Sequence, residues 1–104
     1  MSESLDPKLT FTHPFGDREA YEAEARGYLG YAVVELSTGG RIPVVFYDPV
    51  RLQQDFEEEV STGTPFLAEP GMIVVESVTL ANMENAVQGL FKSRFFDSFA
   101  AVKS

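Results

Sequence analysis

Tyr31-Ala32-Val33-Val34-Glu35-Leu36, then Ser37-Thr38-Gly39-Gly40, then Arg41-Ile42-Pro43-Val44-Val45-Phe46-Tyr47: two β-rich runs flank a turn. β-branched and aromatic residues fill both runs, and the glycine pair permits the reversal, so the stretch reads as a β-hairpin. Successive strand side chains point to opposite faces. In the first run Ala32, Val34 and Leu36 share one face, and Tyr31, Val33 and Glu35 the other. In the second, Ile42, Val44 and Phe46 oppose Pro43, Val45 and Tyr47. Pro43 has no N–H to give a ladder, so its amide position faces a free edge or a bulge.

Downstream, Asp48-Pro49 announces a helix over about 49–60. Asp48 can cap the free amides, and a proline at the first helical position loses no hydrogen bond. Val50 (or Leu52), Phe56 and Val60 recur near helical spacing, with Asp55, Glu57, Glu58 and Glu59 on the other side. Glu57–Glu59 fall late in the helix, where the dipole disfavours negative charge. After a Gly/Pro-rich connection, Met72–Val78 reads as a third strand, with Ile73 and Val75 opposing Met72, Val74 and Glu76. Thr79 caps a second helix, 80–93, whose Leu80, Met83, Ala86, Val87, Leu90 and Phe91 form one apolar face.

Upstream, 17–27 satisfies two patterns. Its alanines and glutamates favour a helix opened by Asp17 and closed by Gly27, while Tyr21, Ala23 and Ala25 alternate as in a strand. Propensity favours the helix. Residues 1–16 read as a loose N-terminal arm, in which Lys8–Thr12 alternates as a short edge strand would. The expectation is one α+β domain over 17–104. It has a small, mainly antiparallel sheet of three to five strands, with the helices at about 49–60 and 80–93 packed on one face. All three strands are apolar front and back, so a further layer should cover the second face.

Composition narrows the function classes. The 104 residues carry 16 acids against 8 bases, a formal net charge of −8. Such a surface repels phosphate backbones and anionic lipid, so neither nucleic acid nor membrane is an expected partner. With no cysteine, thiolate metal sites and cysteine nucleophiles are excluded. His13, the one histidine, precedes Pro14 and reads as a loop residue rather than a general base. No phosphate-binding loop, dinucleotide fingerprint or calcium loop is present, and no cofactor or metal is expected. The start of the chain lacks the basic and apolar regions of a signal peptide, which points to a cytoplasmic protein.

Three constellations remain. Glu35 and Glu76 interrupt apolar strand faces; on neighbouring strands they would form a carboxylate pair fit for acid–base work or for binding a small molecule. Asp48 and Arg51 open the first helix, where capping and an ion pair account for them. Asp55, Glu57, Glu58 and Glu59 form an acidic run, either a solvated face or a docking patch that steers a basic partner. Phe95, Phe96 and Phe99 near the end either complete the core or form an oligomer interface, a homodimer being the simplest case. The reading that results is a non-enzymatic binding protein, regulatory or inhibitory in the manner of immunity proteins, directed at a basic partner. A small-molecule binder or modest enzyme built on Glu35 and Glu76, and a structural oligomer component, are the alternatives.

Overall fold

The computed structural model describes residues 7–96. Its elements are β1 (Lys8–Phe11), α1 (Asp17–Arg26), β2 (Tyr28–Glu35), β3 (Arg41–Tyr47), α2 (Pro49–Ser61), β4 (Met72–Val74) and α3 (Leu80–Lys92). The fold is α+β, with one four-stranded sheet in the order β1-β2-β3-β4. β1–β2 and β2–β3 are antiparallel, and β3–β4 is parallel. A parallel pair needs a crossover, and α2 supplies it.

The hairpin forms where the β-rich runs place it. The Leu36 amide donates to the Gly40 carbonyl at 2.8 Å, and Val33 lies opposite Pro43. A register shift between Leu29 and Ala32 extends β2 back to Tyr28 through a bulge. On the far side of β3, the Val45 amide donates to the Gly71 carbonyl at 3.0 Å. Amides two residues apart point the same way along a strand, so the missing N–H of Pro43 faces that side too. No β4 residue is needed there, because the ladder begins with Met72 opposite Val45.

The chain enters β4 through a close approach. Gly71 has φ 74°, and a Cβ on it would lie 2.3 Å from the Pro43 carbonyl oxygen. Only glycine fits both the backbone conformation and the gap.

Residues 17–26 are helical, as propensity favours, but Gly16 rather than Asp17 is the N-cap. The Gly16 amide donates to the Glu19 carboxylate at 3.0 Å, which holds that acid below its ordinary value. Gly27 closes α1 in the left-handed conformation, and its carbonyl accepts the Asp48 amide at 2.9 Å, tying the end of α1 to the start of α2. Asp48 caps α2 by accepting the Arg51 amide at 2.7 Å. Thr79 caps α3 by accepting the Asn82 amide at 3.2 Å.

The core lies on one face of the sheet. Leu29, Ala32, Val34, Ile42, Val44, Phe46 and Ile73 meet Ala23 of α1 and Met83 and Val87 of α3. Here the arrangement departs from the expected placement of α2 beside α3. α1 and α3 supply the buried helical residues, and α2 supplies none. Instead α2 runs along the opposite face, where Arg51 stands 5.2 Å from the Tyr28 ring centre and Leu52 and Phe56 share a hollow with Met72. With α1 taking the place beside α3, the stripe Val50, Phe56 and Val60 stays exposed.

Two further differences concern the ends. The segment read as an arm contributes β1, paired with β2 from Lys8–Glu35 to Phe11–Ala32. β4 stops at Val74 rather than running to Val78, although Val75 and Val78 still reach the core.

Replacing Gly71 with alanine forces a left-handed alanine and a backbone clash together, an expected loss of about 2–4 kcal/mol. Urea unfolding of the two proteins checks this; an unchanged midpoint would show that the approach of Gly71 to Pro43 does not constrain the fold.

Candidate functional site

The second face of the sheet is only partly covered. Val33 and Tyr47 are buried at 6% and 3% exposure, whereas Val74 at the β4 edge is 47% exposed. The cover is α2, and it leaves two adjoining hollows along its length. One, of about 330 Å³, is polar and is lined by Tyr28, Tyr47, Arg51, Asp55, Glu58, Glu59, Leu67 and Glu69. The other, of 530 Å³, is apolar: Pro49, Leu52, Phe56, Pro65, Phe66, Leu67 and Met72 line it with Gln53. Leu67 belongs to both.

The polar hollow is built on the ends of β2 and β3. Tyr28 and Tyr47 are register partners, and their rings meet edge to face at 4.9 Å. The Tyr47 hydroxyl donates to Glu69 Oε1 at 2.9 Å, so the turn before β4 is fastened to β3. Burial pushes the Tyr47 phenol well above its ordinary value, and the hydrogen bond and charge of Glu69 push the same way. Tyr28 is raised by burial and by Glu69, with Arg51 opposing. Arg51 Nε donates to Asp55 Oδ1 at 2.9 Å, and its Nη1 donates to the Arg26 carbonyl at 3.2 Å. The guanidinium is thereby held over Tyr28 as a cation–π pair.

The apolar hollow owes its character to residues that the core does not use. Phe66 is 64% exposed and Phe56 41% exposed. Glu57, Glu58 and Glu59 directly follow Phe56 on α2, Glu58 and Glu59 line the adjoining polar hollow, and no basic residue occupies the last turn of that helix. Among the described residues none of the three forms an ion pair with a cation, and Glu57 only accepts a hydrogen bond from Gln53 at 3.0 Å.

The other sequence-derived candidates fall elsewhere. Glu35 pairs with Arg41, its cross-strand neighbour at the turn end of the hairpin. Glu76 is exposed and follows β4, which meets β3 at its other end, Val45–Tyr47. β3 separates β2 from β4, and at ~3.3 Å per residue the path from Arg41 to Tyr47 spans about 20 Å. The two carboxylates are not a pair, and the acid–base or small-molecule site drawn on them has no geometry. Phe96 is 2% exposed and belongs to the core rather than to an interface. Phe95 packs edge to face against it at 5.4 Å, and Phe99 lies outside the described residues. His13 is exposed, with its ring 4.9 Å from that of Tyr31. Among the described residues no group of acids and histidine is placed to hold a metal ion, and no helix is long and apolar enough to cross a membrane.

Sequence reasoning singled out the acidic run of α2 but not the hollows beside it. Phe66, Leu67 and Glu69 lie in the Gly/Pro-rich connection, where no periodicity assigns a side chain to a face. No protein-family model, curated protein or solved structure matches the chain.

A tyrosine raised in the folded state favours folding while it is neutral. That contribution is complete below the ordinary tyrosine value of 10.0 and is lost as pH rises beyond it, because the unfolded chain then gives up its proton first. Stability should therefore fall as pH climbs above 10.0, and Tyr47→Phe should flatten part of the fall. Urea midpoints measured across the alkaline range test this; parallel curves for the two proteins would remove Tyr47 from the account.

Proposed function

We propose that this chain is a non-catalytic binding protein that captures a basic protein partner on the face formed by α2 and the connection into β4. The observation that supports this reading is the row Glu57–Glu59. These acids occupy the wrong end of the helix dipole, an arrangement that costs on the order of 0.3–1 kcal/mol per charge. They serve no ion pair among the described residues and lie beside exposed apolar side chains. Charge placed against the needs of the helix fits a partner outside the chain. A net charge of −8 adds long-range attraction for a cationic protein and speeds encounter.

A masking role, in which the chain covers the working surface of a basic partner and so regulates or inhibits it, follows from the same electrostatics. Phe96 lies in the core and α2 carries the acids, so a structural oligomer is the weaker reading: two acidic faces repel.

A partner recovered from host extract and purified should bind about tenfold more weakly when salt is raised from about 50 to about 300 mM. The triple charge reversal Glu57→Lys, Glu58→Lys, Glu59→Lys should abolish binding. A purified partner whose affinity ignores both salt and charge reversal would sink this reading.

A further inference from the structure

Among the described residues, no core side chain fills the apolar hollow between α2 and residues 65–67. Phe56, Phe66 and Met72 surround 530 Å³ at the surface, and Val74 continues the exposed apolar area on the same face of β4 as Met72. A groove of that size takes one or two large apolar side chains. Charge decides which molecule supplies them. The polar hollow that shares Leu67 is edged by Asp55, Glu58, Glu59 and Glu69, and Arg51 is its one cation among the described residues. A second copy of this chain brings −8 against −8 and places like charges along the contact. An acidic or neutral segment would bury Glu58 and Glu59 with no cation opposite them, at a cost, whereas Asp55 and Glu69 already have Arg51 and the Tyr47 hydroxyl.

Resting on the function proposed above, we infer that the hollow is the anchor site for a basic amphipathic segment of the partner. An apolar side chain of that segment enters between Phe56, Phe66 and Met72. A lysine or arginine next to it crosses Leu67 to reach Glu58, Glu59 and Glu69. The internal Arg51, stacked over Tyr28 and paired with Asp55, shows how this surface receives a guanidinium. Apolar contact then sets residence time, and the acids set approach and exclude anionic competitors.

The probe is a synthetic peptide of about 16 residues, with leucines at i, i+3, i+4 and i+7 and lysines between, the form that groove-binding helices take. Controls are the same peptide with glutamate for lysine and an oligolysine without leucine. Binding is measured by fluorescence anisotropy and mapped by amide NMR shifts on the full chain. The leucine–lysine peptide should bind, shift residues 56, 66, 67 and 72, and bind at least about tenfold better than either control. Phe66→Ser, at a side chain already largely in water, should weaken it about tenfold with the fold intact by NMR, and Glu58→Gln/Glu59→Gln should weaken it and flatten its salt dependence. Shifts confined to the acidic helix α1, or indifference to Phe66→Ser, would overturn this site while leaving capture of a basic partner standing. Failure of the peptide to bind overturns the anchor site, and the purified-partner titration then decides the broader reading separately. A free chain whose mass rises with concentration while the groove amides become protected would assign the hollow to a second copy and overturn the inference.

Discussion

The contact between Gly71 and Pro43 decides how the last strand joins the sheet. β3 has one partner along its whole length, β2, and a second only along Val45–Tyr47. Pro43 withholds an N–H from the β4 side, and Gly71 approaches its carbonyl so closely that no side chain fits between. β4 therefore starts late and stays short. Everything between β3 and that entry point, α2 and the connection after it, must be accommodated on one side of the sheet. The Tyr47–Glu69 hydrogen bond fastens the return. The two hollows lie between α2 and this returning chain, so the surface features follow from a constraint on backbone geometry.

That constraint also explains why α2 is a poor core helix. α1 and α3 meet the core face, and the side chains buried most completely there come from the strands, from Val78 and from α3. α2 keeps its caps, Asp48 and Pro49, because these depend only on local backbone groups. Its apolar stripe has no deep partner. Phe56 ends beside Met72 and Phe66 in a shallow contact that leaves all three partly in water. Acids at its C-terminal end are tolerated because the helix is anchored at its start, through Asp48 to Gly27 and through Arg51 to Asp55 and Arg26.

What was legible in the sequence was local. The hairpin, both proline-related features, the Asp48 and Thr79 caps and the α3 stripe each follow from rules that act over a few residues. Strands apolar on both faces imply a second covering layer, and the structure supplies part of one: Val33 and Tyr47 are buried on that face, whereas Val74 stays 47% exposed. Assigning α2 to a face required knowing whether 17–26 is a helix, because a helical α1 takes the space beside α3. Pairing Glu35 with Glu76 required the strand order. The hairpin makes β2 and β3 neighbours, but nothing in the composition of Met72–Val74 says on which side it adds. The hollow residues Phe66, Leu67 and Glu69 were illegible for a different reason: a loop has no period, and its side chains are placed by the closure it makes.

A protein of this size that exposes large apolar side chains beside unneutralised acids gives up stability twice, by hydration of the first and by repulsion among the second. Either feature alone has an ordinary explanation. A stray exposed phenylalanine is common, and an acidic helix face is usually only solvated. Their juxtaposition on an element that contributes nothing to the buried core is harder to reconcile with folding alone. Moving Glu57–Glu59 elsewhere would relieve α2 without removing a buried side chain, since α2 has none. Packing thus leaves the acidic C-terminal turns of this helix free to vary, and their composition is the one most readily shaped by what they meet outside the chain.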